Sequence, residues 1–96
     1  MPRRKLSRPS SELRPKRAPT AANQQTFFFR LGKRVRELRR ECGHSQEDMI
    51  ASGFSARHWQ QIEAGRPITV TTLLRICAIF DVSAEGLVRG LDKGIY

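Results

Sequence analysis

Glycines cut this chain into pieces too short for anything but a packing of small helices. Gly43, Gly53, Gly65 and Gly90 each fall at or just past the end of a segment with helical apolar spacing, and glycine is the residue at which a helix most readily stops. Upstream of Gly43, the residues Phe28, Leu31, Val35, Leu38 and Cys42 recur at steps of three and four, which is one face of a helix. Order is expected to begin near Asn23 to Thr26. Gly32 lies inside that helix, where it costs about 1 kcal/mol relative to alanine; a close approach by another helix would justify it. Ser45 is an expected N-cap, with Asp48 completing a capping box, so a second helix runs from Gln46 to about Ala51. Ser52-Gly53-Phe54 is a tight turn. Ser55 caps a third helix that reaches Ala64 and stops at Gly65. Arg66-Pro67-Ile68 is a loop, and Thr69 caps a fourth helix with Leu73, Leu74, Cys77, Ala78 and Phe80 facing inward. Asp81-Val82 leads to a last short helix from Ser83 to about Arg89. No run alternates as a strand does. The expectation is an all-α, compact five-helix domain over residues 26–96.

Residues 1–25 read differently. They hold seven Lys and Arg residues against Glu12 alone, mixed with Pro2, Pro9, Pro15 and Pro19. Such a segment lacks the apolar surface to offset the entropy of ordering, and a disordered basic tail is expected. The rest of the chain has eleven basic and eight acidic side chains, so the formal net charge of +9 sits mostly in the tail. A polyanion is the natural partner. No run approaches the roughly 20 apolar residues of a membrane span. The charged start has no following apolar region, so no secretory signal is read, and the prolines argue against an amphipathic transit peptide. Cys42 and Cys77 are too few for a disulfide framework and are expected as reduced thiols in a cytoplasm. With His44 and His58 they lack zinc-ligand spacing, so no metal or cofactor is expected. The chain has no nucleophile elbow, phosphate loop or paired-carboxylate arrangement, which argues against an enzyme.

The third helix carries the functional signal. With Trp59 at the centre of its inward face, Ser55, Ile62 and Glu63 lie beside it and Ala56 at that face's edge, while Arg57, Gln61 and Ala64 fall on the opposite side. His58 and Gln60 flank that outward group. The outward face is short, polar and rich in fork-shaped donors. Arginine can bond guanine O6 and N7 together, and glutamine can do the same to adenine N6 and N7. A solvated helix face would look similar, but two short helices joined by a three-residue turn containing glycine form the helix-turn-helix pattern.

Residues 28–91 resemble the phage-repressor-type helix-turn-helix family, also called the Cro or XRE family. The resemblance rests on "LGKRVRELRRECGHSQED", "FSARHWQQIEAG" and "TTLLRICAIFDVSAEGL". Ser45-Gln46-Glu47 and Ile62-Glu63-Ala64-Gly65 match its most recognisable elements. It implies a lambda-repressor-like fold in which Ala56, Arg57 and Gln61 read bases. Gln46 is implied to bond a backbone phosphate from the start of the second helix. Ser45, His58, Gln60 and Arg66 are expected to flank the reading face or contact the backbone. Glu63 is implied to pair with Arg39 on the first helix, and Trp59 and Ile62 match core positions. Three departures stand out: the segment from Gln46 to Ser55 is one residue shorter than usual, Ile50 replaces a small alanine, and Trp59 replaces a smaller aliphatic residue.

The function implied is sequence-specific double-stranded DNA binding by a transcriptional regulator, a repressor or autoregulator. The alternative is an antitoxin-like protein-binding module, which in this family also binds DNA; its partner would be a toxin or another regulator. The expected setting is the cytoplasm of a bacterium, or of a phage host, with nucleoid association when bound. The tail reads as an arm on phosphates or in a minor groove, or as a solubilising leader or an overextended gene start. In the Phe27-Phe28-Phe29 cluster, Phe28 continues the first helix's stripe, and core packing is the expected fate. Two bidentate readers supply about 2–6 kcal/mol of discrimination, whereas specific binding exceeds nonspecific by about 4–10 kcal/mol. A homodimer on two half-sites closes that gap, with Leu87, Val88, Leu91, Ile95 and Tyr96 as candidate contacts, some of which must instead belong to the core.

Overall fold

The first helix starts with a polar clasp rather than with its apolar stripe. In the computed structural model, which describes residues 19–96, the Thr20 hydroxyl accepts from the Asn23 amide and Asn23 Oδ1 accepts from the Thr20 amide, both at 3.0 Å. That capping box satisfies two of the amides left free at a helix start and begins α1 at Ala21 (Ala21–Glu41). Residues 21–25, assigned above to the tail, are therefore helical. The expected disorder and DNA contacts of residues 1–18 lie outside the described residues.

Four more helices follow: α2 (Gln46–Ala51), α3 (Ala56–Glu63), α4 (Val70–Phe80) and α5 (Ala84–Val88). Ser45, Ser55, Thr69 and Ser83 cap them, each hydroxyl accepting from the amide three residues on. No strand occurs among the described residues. Trp59 is fully buried in a core that also holds Val35, Met49, Phe54, Ile62, Ile76 and Phe80, while α5 packs on α1 and α4. Nor is any described helix long and apolar enough to cross a membrane.

The apolar faces differ from expectation at several positions. On α1, Leu31 and Val35 are buried and Phe28 and Leu38 half-buried, but Cys42 is exposed because it is the C-cap residue, past the last packed turn. On α4 the buried stripe is Thr72, Ile76, Cys77 and Phe80, with Leu73 half-buried, while Leu74 and Ala78 face solvent. Thr72 tolerates burial because its hydroxyl accepts from that of Thr69 at 3.2 Å. Phe27 and Phe28 meet edge to face and pack on the core, whereas Phe29 is 63% exposed.

The C-terminal segment belongs to this domain's own core. Leu87, Leu91 and Ile95 are buried, which removes them as dimer contacts and leaves half-buried Val88 and exposed Tyr96. Two arginines one turn apart on α1 hold that segment down. Arg30 donates to the Leu91 and Lys93 carbonyls at 2.8 and 2.9 Å, and Arg34 to those of Leu87 and Arg89 at 3.1 and 2.6 Å. These carbonyls lie at and beyond the end of α5, where no helical amide remains to meet them.

Candidate nucleic-acid interface

The pair α2 and α3 is built from two caps and one glycine. Ser45 Oγ accepts from the Asp48 amide at 3.2 Å, and Asp48 Oδ2 accepts from the Ser45 amide at 2.7 Å. The Ser45 amide and hydroxyl together hold the Asp48 carboxyl below its ordinary pKa. After Ala51 the chain turns through Ser52 and Gly53, the latter at φ +107°, a conformation that side-chain-bearing residues rarely adopt. The Gly53 amide donates to the Ile50 carbonyl at 3.0 Å and the Phe54 amide to that of Met49 at 3.2 Å. Phe54 then drops into the core, and Ser55 starts α3. Ile50 is 43% exposed; Met49, not Ile50, is the α2 residue buried in the core, so the bulk at position 50 faces outward.

α3 presents two unlike faces. Trp59 and Ile62 are buried, while Ala56, Arg57 and Gln60 are exposed and Gln61 is half-buried. Arg57, Gln60, Gln61, Ala64 and Arg66 line one shallow, open depression along the outward side. His58 is half-buried with its ring against that of Phe54, 5.6 Å between centroids. Of the outward residues, Arg57 and Gln61 thus share a surface with Gln60 and Arg66. Ala56 stands exposed in the first turn of α3 and Ser45 is engaged in its cap.

Glu63, the last residue of α3, is the hub behind this face. Arg39 Nε donates to Glu63 Oε2 at 2.5 Å and Arg39 Nη2 to Oε1 at 3.1 Å, a two-pronged pair whose side chains are 10% and 7% exposed. Arg39 Nη1 also donates to the His44 carbonyl at 3.0 Å. Trp59 Nε1 donates to Glu63 Oε2 at 2.5 Å, and Gln46 Nε2 reaches Oε1 at 3.5 Å. Burial pushes the Glu63 pKa up, but the Arg39 and Trp59 hydrogen bonds, the Arg39 charge and Gln46 outweigh it, so the net shift is downward. The same hydrogen bond raises Arg39 further above its ordinary value. One carboxylate therefore joins α1, α2 and α3. The Trp59 bond had a sequence signal, an indole four residues before a carboxylate on one helix. It also accounts for the large residue at position 59, since a buried indole N–H needs an acceptor.

Gly32 and Gly65 set how closely α1 approaches the end of α3. A Cβ at Gly32 would lie 2.6 Å from the Ile62 carbonyl oxygen and 2.8 Å from that of Glu63. Gly65, at φ +92°, lies against the Phe29 backbone. Among the described residues no three His, Cys, Asp or Glu side chains are grouped to hold a metal. The site offers an open polar surface, not an enclosed cleft.

Residues 30–89 match a family model described as a helix-turn-helix domain. No curated protein and no solved structure matches the chain at significant similarity.

Proposed function

We propose that this chain, which belongs to the Cro/XRE-type helix-turn-helix family, is a sequence-specific double-stranded DNA-binding regulator of transcription, acting as a repressor or autoregulator. The family match over α1 to α5 supports DNA binding by the domain. The observation that carries the finer reading is the outward face of α3, where Arg57, Gln60 and Gln61 stand beside Arg66 in one open surface. In this reading Arg57 forks onto a guanine, Gln61 onto an adenine, and the Ala56 methyl meets a thymine methyl. Gln46 spends one N–H on Glu63 and keeps the other for a phosphate. Ser45, His58, Gln60 and Arg66 flank the groove and meet the backbone. The arrangement calls for no cofactor, and its setting is the cytoplasm and nucleoid. Selection of bound sites from random duplex DNA supplies the operator. Arg57→Ala and Gln61→Ala are then each expected to cost about 1–3 kcal/mol and to relax preference at one base pair. Wild-type chain that binds no duplex at low salt would refute the reading.

The same discrimination arithmetic favours a homodimer on a two-fold site. A second reading, an antitoxin-like module that also binds a protein partner, draws on Phe29, Val70 and Leu74, which are 63%, 70% and 54% exposed. Sedimentation of the chain alone and on a palindromic site tests the dimer, and monomer in both settings counts against it.

A further inference from the structure

The turn between α2 and α3 bonds back to α2 through the Ser52, Gly53 and Phe54 amides, but one of its carbonyls is held from outside the pair. Gly53 sits at φ +107°, a conformation open to glycine because it lacks a Cβ. The peptide unit linking Gly53 to Phe54 is gripped at both ends. Its N–H, on Phe54, donates to the Met49 carbonyl of α2 at 3.2 Å. Its carbonyl, on Gly53, accepts from Arg75 Nη2 at 3.1 Å. Arg75 comes from α4, outside the helix-turn-helix pair, and its guanidinium also lies over the Phe54 ring, 4.1 Å from the centroid. A Cβ at position 53 would come within 3.3 Å of the same Nη2 atom, so the glycine and the arginine fit together.

We infer that Arg75 is a positioning residue for DNA recognition: it clamps the α2–α3 turn and thereby sets the angle at which α3 presents Ala56, Arg57 and Gln61. The clamp acts where orientation is decided. Phe54 touches the rings of His58 and Trp59, with centroids 5.6 and 5.0 Å away. Ser55, the next residue, caps α3. A guanidinium supplies both contacts at once, a planar stack and an in-plane donor, which an ammonium cannot do. The inference rests on the DNA-binding reading above and adds a residue to it from a different helix.

The test compares Arg75→Ala, Arg75→Lys and wild type as full chains, on the selected operator and on a copy with the Arg57 base pair changed. Measurements are made well below each variant's melting temperature, with the Phe54 amide followed by hydrogen exchange. Arg75→Ala is expected to lower the operator-to-changed-site affinity ratio about three- to tenfold and to speed Phe54 exchange relative to Val35. Arg75→Lys is expected to recover part of the loss. Equal weakening on both DNAs with an unchanged ratio would make Arg75 a phosphate contact and overturn the clamp. A lower melting temperature with ratio and Phe54 exchange both unchanged would overturn it as well. If wild type selects no site, the reading of the previous section fails, and Phe54 exchange alone still decides whether Arg75 holds the turn.

Discussion

Gly32→Ala is expected to destabilise the domain although it places the best helix former inside a helix. Propensity alone predicts a gain of about 1 kcal/mol. The new Cβ, however, would stand 2.6 Å from the Ile62 oxygen, 2.8 Å from the Glu63 oxygen and 2.9 Å from the Gly65 nitrogen. Ordinary contact begins at 3.4 Å, so the backbone at the end of α3 must retreat by about 0.8 Å relative to α1. All three atoms are backbone, and no rotamer change relieves them. Overpacking of this kind costs about 1–3 kcal/mol or more; with three simultaneous contacts, a net loss of about 2 kcal/mol remains after the propensity gain. For a domain this small, each kcal/mol moves the melting temperature by about 4–8 °C. Thermal unfolding followed by circular dichroism should therefore show a drop of about 8–16 °C. Lys33→Ala, exposed on the same helix, is the control and should stay within about 0.5 kcal/mol of wild type. A Gly32→Ala chain as stable as wild type, or more so, would refute the close α1–α3 approach and the placement of Glu63 that depends on it.

Glu63→Ala is expected to cost about 3–5 kcal/mol, because it strands the Arg39 guanidinium in a nearly closed site; urea denaturation measures it. The depressed Glu63 pKa also fixes a pH dependence. Its stabilisation is complete above the unfolded glutamate value of about 4.3 and is lost as pH falls through the lower folded value. Wild-type stability should thus fall more steeply from pH 5 to pH 3 than that of Glu63→Gln, and equal slopes would contradict the assignment. Removing residues 1–18 takes away seven cations and leaves the Thr20 cap intact. If the segment tracks phosphate, the salt slope of DNA binding flattens by up to about 6, equally on all sequences; an unchanged slope reduces it to a leader.

The elements legible in the sequence are those whose signal is local. Ser45 with Asp48, Ser55 and Thr69 announce helix starts through side chains that bond three residues away, and Gly43, Gly65 and Gly90 announce stops through positive φ. The Arg39–Glu63 contact came from resemblance and has the expected partners in the structure. Faces near helix ends were less legible. Cys42 fits the α1 stripe by count but lies at the cap, and on α4 the stripe is turned so that Ile76 points inward and Leu74 outward. Periodicity gives a face only to within a residue when leucine and isoleucine stand on both sides of it. The α1 start was misplaced for the opposite reason: residues 21–25 have no apolar stripe to follow, and only the Thr20–Asn23 pair marks them.

Contacts between helices distant in the chain leave a weaker mark: Gly32 and the Arg39–Glu63 pair are legible in the sequence, Arg75 is not, and together they help give the α3 face a single orientation. A wheel drawn on α3 separates Arg57 and Gln61 from Trp59 and Ile62, yet it leaves the helix free to roll and tilt. Three groups outside α3 remove that freedom. Arg39 and Gln46 hold its C-terminal carboxylate, the gap at Gly32 admits its last carbonyls, and Arg75 grips the peptide ahead of its cap. Two of these act at the C-terminal end and one at the N-terminal end. The resulting expectation separates the ends: loosening Gly32 or Glu63 should lower stability first, because those contacts are buried. Loosening Arg75, which is exposed, should lower discrimination with little change in melting temperature. The core holds both ends of α3, through Phe54 ahead of its cap and Ile62 in its last turn, and Arg75 adds an exposed grip at the N-terminal end alone.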